Sequence, residues 1–318
     1  MTDQNARIAP LRVEATAGTN AHTTFGEDHK CAIKQKELGL LEMVRLKGEN
    51  RIKMFRQIAE RLVSKIASFD GVCGIVLLGR LVRGFADRFS DLDITVFIGK
   101  RDARLRRRIY NVGLSEAKAS GIDIDMEIHF IEDFRRWRFD EADRWEFSRA
   151  KIVFDPEGEV KRMLKEKFRV SESFWVRRIV FCGEYLKWYC CPLKEGVGSV
   201  AECWVERGDL VSAHYCLNYA TELLVRIVYA LNREFLPAPK WRLFHSYNLK
   251  WLPKGYKRLI KEAMRVEEFS VKDFERRLLA VRSLWREILP KIKEETGLTT
   301  EKVTKYYVEK VLHQTKFH

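Results

Sequence analysis

Two short apolar runs, Val72–Leu78 and Leu92–Ile98, joined by a glycine-led turn, constrain this chain more than any other stretch. The first run is bounded by glycines and the second follows the polar segment Asp87-Arg88-Phe89-Ser90, which predicts two buried β-strands. Gly79 breaks the first strand, and the segment Gly79 to Gly84 turns the chain. The second run opens on Asp91 and Asp93, which are two residues apart and so project from one face of a strand. Two carboxylates side by side repel, and both ionise readily only with a cation between them. Oxygen-only ligands of this kind suit Mg²⁺, which takes one or two carboxylates and completes its shell with water and substrate phosphates.

The ordered set of strand, Gly-led turn and adjacent strand starting Ser90-Asp91-x-Asp93 resembles the signature of the DNA polymerase β-like nucleotidyltransferase superfamily. A coincidental loop and acidic strand is the alternative. The resemblance implies an α+β chain, with a nucleotidyltransferase fold (a small mixed β-sheet flanked by helices) followed by an all-α helical domain. Within the superfamily the chain is most similar to the branch of the kanamycin-type aminoglycoside nucleotidyltransferases. There a Gly-Ser-x-x-Arg turn precedes Ser-Asp-x-(Asp/Glu), and a later strand carries a glutamate in a Val-Glu-Val-like setting. Gly79 and Arg83 match the turn, Ser90, Asp91 and Asp93 match the carboxylate motif, and Glu127 in Met126-Glu127-Ile128 matches the third acid. Asp125 is the reserve for that acid, since other branches use an Ile-Asp-Ile setting. The resemblance thus implies metal ligation by Asp91, Asp93 and Glu127, and nucleotide binding by Gly79, Arg80, Arg83 and Ser90. One departure stands out: the usual serine after the turn glycine is Arg80, which either adds charge for the phosphates or fills their pocket.

Along the chain, residues 1–35 read as a flexible N-terminal tail or tag remnant, 36–160 as the catalytic domain and 161–318 as the helical domain. Ile52, Phe55, Ile58, Ala59, Leu62, Val63 and Ile66 recur at helical spacing and predict an amphipathic helix feeding the first strand. Residues 102–120 predict a second helix, ended by Gly121, with an arginine cluster at 104–108. Residues 122–131 alternate strictly, with Asp123, Asp125, Glu127 and His129 on one face of a half-buried strand. Three acids in a row on that face call for a cation or basic partners, or else form an exposed edge. Ile152–Phe154 predicts a further short strand. Beyond it, residues 173–191, 200–232, 256–268, 271–295 and 299–314 have helical length and spacing.

A length of 318 residues allows two domains, and 46% hydrophobic with 33% charged residues supplies a core and excludes a broadly disordered chain. The net charge of +14 fits an anionic partner such as nucleotide or RNA, or a basic solvated surface. The seven cysteines show no C-x-x-C pairing, which favours buried reduced thiols in a cytoplasmic protein over zinc ligands. No early run resembles a signal peptide and no stretch approaches 18 apolar residues, so no membrane association is expected. His129, His214 and His245 lack a metal-ligand spacing, and the tryptophans at 175, 188, 204, 241, 251 and 285 fall on helical faces that suit a core.

In the helical half, the resemblance to the kanamycin-type enzymes, whose general base is a glutamate on a comparable helix, makes Glu184 a candidate base, and Lys187 could reach a phosphate; an ordinary helical Glu–Lys pair at i,i+3 is the alternative. Asp209 and Lys240 carry substrate-side readings, against those of a helix cap and an exposed lysine. The functional expectation is a Mg²⁺-dependent nucleotidyltransferase using an NTP, with ATP the expected one. A small hydroxylated acceptor or RNA would bind between the two halves, and a homodimer is left open. Two other classes remain: a nucleotide- or RNA-binding protein that keeps the fold but not transfer, with Arg80 as the lesion, and a protein-interaction module with a structural Asp pair.

Overall fold

The computed structural model describes the backbone of Arg12–Val13 and residues 48–192, 198–299 and 302. The chain divides into two compact units, one running through Arg169 and the other from Val170. The first is α+β. Its strands are β1 (Arg12–Val13), β2 (Val72–Leu77), β3 (Leu92–Ile98), β4 (Ile124–Phe130) and β5 (Lys151–Phe154), in the spatial order β1-β4-β3-β2-β5. Its helices are α1 (Ile52–Ala67), α2 (Gly79–Arg83), α3 (Ala103–Ser120), α4 (Ile131–Arg136), α5 (Glu141–Ser148) and α6 (Glu159–Lys167). β3 and β4 run parallel, joined by the crossover helix α3, and the other strand pairs are antiparallel.

Strand periodicity sorts the sheet's side chains onto two faces. Leu92, Ile94, Val96 and Ile98 of β3, with Ile124 and Met126 of β4, meet the apolar stripe of α1 (Phe55, Ile58, Leu62 and Ile66) and Leu105 and Ile109 of α3. Each such side chain taken fully out of water contributes roughly 1.5–3 kcal/mol. The opposite face carries Val76 and Phe97, which pack with Ile131, Phe134, Phe139, Phe147, Val160 and Met163 from α4, α5, α6 and their connections. Asp91, Asp93 and Asp125 belong to that second face, because they alternate with the residues that face α1 and α3.

Among the described residues of the second unit every regular element is helical: α7 (Glu172–Tyr189), α8 (Val200–Glu206), α9 (Leu210–Leu231), α10 (Pro239–Ser246), α11 (Tyr256–Met264) and α12 (Val271–Thr296). α9 is apolar nearly all round and is the central element, with α7, α8, α11 and α12 packed on it. Arg277 of α12 is fully buried. Its Nε donates to the Ala263 carbonyl at 2.7 Å, and its guanidinium also bonds His214 Nδ1 and Asn218 Oδ1.

Several expectations need correction. The segment after Gly79 forms the short helix α2 rather than a plain turn, closed by Gly84 in the left-handed region at φ 84°. The single helix expected over 200–232 is broken into α8 and α9 at Gly208, which takes φ 80°. Trp188 is 62% exposed rather than part of the core, whereas Trp175 and Trp285 are buried. α4, α5, α6 and α10 had no sequence expectation, being short and only partly periodic. Apart from β1, whose Arg12 pairs in register with Asp125, the expected tail over 1–35 lies outside the described residues, and so does most of the expected helix over 299–314.

Arg277→Leu removes a buried donor from three acceptors at once, and orphaned acceptors cost about 1–3 kcal/mol each. The expected result is a calorimetric unfolding transition of the second unit weakened by about 3 kcal/mol or more. An unchanged transition would show that the network adds nothing to stability.

Candidate active site

The site begins at the start of β3. The Leu78 amide donates to the Asp93 carbonyl at 3.1 Å, continuing the β2–β3 ladder and bringing the next residue, Gly79, over the Asp93 side chain. A Cβ on Gly79 would stand 1.6 Å from Asp93 Oδ2, and the residue takes φ 63°. Only glycine fits, for both space and backbone conformation. Asn50 secures the far side of α2: its Oδ1 accepts from the Ala86 amide at 3.2 Å, and the Arg51 amide donates to the Ala86 carbonyl at 2.7 Å.

The parallel register sets Asp93 opposite Asp125, Thr95 opposite Glu127 and Phe97 opposite His129. One carboxylate oxygen from each of Asp91, Asp93 and Asp125 lies within 4.8 Å of the others, and all three residues are half-buried. Glu127 sits one dipeptide further along β4, where its Oε2 meets His129 Nε2 at 3.0 Å. The third acid of the cluster is therefore the reserve Asp125 and not Glu127. The physical reason is the register, which places Glu127 beside Thr95 and not beside Asp93.

The electrostatics follow from this crowding. Burial pushes the Asp93 carboxyl up to about 8, with Asp91, Glu146 and Asp125 adding to the rise and Arg83 opposing it. An oxygen-only set of three close carboxylates fits a hard divalent cation such as Mg²⁺, which would relieve that repulsion. Asp91, Asp93 and Asp125 are the residues that would hold it.

Two further groups complete the surroundings. Glu146 of α5, which no sequence signal singled out, accepts from the Gly79 amide at 2.8 Å and from Arg83 Nη1 through both oxygens at 3.0 Å. It is aimed there because its neighbours Trp145 and Phe147 are buried and an Asp140–Asp143 capping box starts the helix. Arg83 also lies over the Trp145 ring, 5.1 Å from its centroid. Arg80 and Ser90 both contact Asp87: Arg80 Nη1 stands 4.0 Å from Asp87 Oδ2, and the Ser90 hydroxyl donates to Asp87 Oδ1 at 2.9 Å. Burial alone would raise the Asp87 carboxyl, but the Ser90 hydroxyl, the Phe89 amide and Arg80 together hold it below its ordinary range. In this arrangement both residues brace the loop ahead of β3.

In the second unit, Glu184 contacts Lys187 one turn along α7, and the Lys187 side chain is buried. The two have the i,i+3 spacing of a helical ion pair. Asp209 caps α9, accepting from the Ser212 amide at 3.0 Å, and Lys240 lies over the Trp241 ring.

No family model matches the chain, and no curated protein matches it. Among solved structures it is similar to a nucleotidyltransferase-like protein from Exiguobacterium sibiricum 255-15, with 12% identity, coverage of 76% of this chain and 78% of that one, and a TM-score of 0.38. A likeness that loose carries no functional argument, and the kanamycin-type branch gains no support from it. The functional reading rests on the chain's own residues.

Because the folded protein holds the Asp93 proton to higher pH than the unfolded chain does, the stability this provides is full below about pH 4 and is lost as pH rises towards 8. Asp93→Asn is therefore expected to stabilise the cation-free protein at pH 8, by on the order of a few kcal/mol, and to flatten this decline. Thermal melts at pH 5 and pH 8 in chelator check this; destabilisation by Asp93→Asn at pH 8 would contradict it.

Proposed function

We propose that this chain is a Mg²⁺-dependent nucleotidyltransferase that moves a nucleoside monophosphate from an NTP, with ATP the first choice, to a hydroxyl acceptor. The observation that carries this reading is the convergence of Asp91, Asp93 and Asp125 beneath Gly79. It is supported by the order of strand, Gly79–Arg83 segment and Ser90-Asp91-x-Asp93 strand, which matches the superfamily signature.

In the reaction an acceptor hydroxyl forms a new P–O bond to the α-phosphorus, the bond to the β-phosphate oxygen breaks, and pyrophosphate leaves. When bound, Mg²⁺ would neutralise charge on the phosphates and stabilise the attacking and leaving oxygens. Asp91, Asp93 and Asp125 would hold that ion. The Gly79 amide and the Arg83 guanidinium are hydrogen-bond donors for the leaving side. The hydroxyl proton passes to a general base or to solvent. The acceptor is a small hydroxylated molecule or RNA, the net charge of +14 favouring RNA. Among the described residues no helix is long and apolar enough to cross a membrane.

The test is Mg²⁺-dependent pyrophosphate release with each of the four NTPs in the presence of a cell extract, followed by identification of the labelled acceptor. Asp125→Asn should lower the rate by about 100-fold or more, whereas Glu127→Gln should stay within about tenfold of wild type. The opposite ranking would restore Glu127 as the third ligand. Nucleotide binding without pyrophosphate release would instead support a nucleotide- or RNA-binding protein that keeps the fold but not transfer.

A further inference from the structure

Glu146 occupies the donors that a phosphate chain beside the three aspartates would need. Gly79 is in direct contact with Asp93, so its amide lies at the edge of the carboxylate cluster. That amide and Arg83 Nη1 both donate to the Glu146 carboxylate, at 2.8 Å and 3.0 Å. A carboxylate spread over a backbone amide and a guanidinium has the charge and acceptor geometry of a phosphate edge. Glu146 also adds a fourth negative group to a cluster in which Asp93 is already pushed up by burial and by Asp91, Glu146 and Asp125. A triphosphate brought in with a divalent cation would be repelled by Glu146 and would compete with it for the same two donors. Glu146 is built to yield. Trp145 and Phe147 fix α5 in the core, and the Glu146 side chain is part-exposed and able to rotate about its own bonds while the helix stays in place.

We propose that Glu146 is an internal competitor for the triphosphate, closing the Gly79 amide and Arg83 in the resting protein and leaving them when the cation-bound phosphates arrive. This inference rests on the nucleotidyl-transfer reading of the same site. An intramolecular competitor lowers apparent affinity by the fraction of molecules in which it has moved away. Removing it therefore tightens phosphate binding. A Glu146 that merely held Arg83 in a productive pose would have the opposite signature, and its removal would weaken binding.

The experiment is calorimetric titration of the full chain with inorganic tripolyphosphate in excess Mg²⁺, which avoids any base preference. It compares wild type, Glu146→Gln, Glu146→Ala and the double variant Glu146→Ala/Arg83→Gln. Glu146→Ala should bind about tenfold tighter than wild type, and Glu146→Gln should bind tighter by a smaller factor because its amide oxygen still accepts. The double variant should lose the gain. Equal or weaker binding in the single variants overturns the inference and makes Glu146 a positioning residue for Arg83, while leaving the nucleotide site standing. No binding by any of the four proteins overturns both the inference and the triphosphate site. Should Glu146→Ala fail to fold, Glu146→Gln decides: tighter binding supports competition, and equal or weaker binding overturns it.

Discussion

The arrangement depends on negative charge gathered at one end of two parallel strands. β3 and β4 pair in a register that sets Asp93 against Asp125, and Asp91 precedes β3 by one residue on the same face. Carboxylates this close repel, and folding tolerates them for two reasons visible in the fold. One of them, Asp93, holds its proton up to about pH 8, and a guanidinium, Arg83, lies close enough to oppose that shift. Gly79 then closes over Asp93 where any side chain would collide. The hydrophobic layers on either side of the sheet hold this unfavourable feature in place, which is the usual relation between a scaffold and a site.

Much of the first unit was legible in the residues. The runs over 72–78 and 92–98, the amphipathic stripe from Ile52 to Ile66 and the Gly121 stop correspond to β2, β3, α1 and the end of α3, because short strands and stripes with glycine boundaries are local signals. The pair Asp91 and Asp93 was legible for the same reason. Which acid of β4 joins them was not. The alternating face offered Asp123, Asp125 and Glu127, and the choice among them is a matter of inter-strand register, which no single strand encodes. A motif match pointed to Glu127, and pairing points to Asp125.

Glu146 was illegible for a further reason. It reaches Gly79 and Arg83 from 67 and 63 residues away, on a two-turn helix with no glycine signature. Arg80 shows the converse. It stood out as a departure from a pattern, and one of its contacts is Asp87, which the Ser90 hydroxyl also bonds just ahead of β3. In the second unit, periodicity located the long helices, but not the break at Gly208, where the left-handed glycine precedes the Asp209 cap of α9, nor the exposure of Trp188.

Crystals soaked in Mn²⁺, with the anomalous signal mapped, put the central claim to its most direct test. The account predicts a peak bonded to carboxylate oxygens of Asp91, Asp93 and Asp125 at about 2.0–2.2 Å, the range of a small hard divalent ion. A peak held by Glu127 and His129, or no peak at the three aspartates, would contradict it.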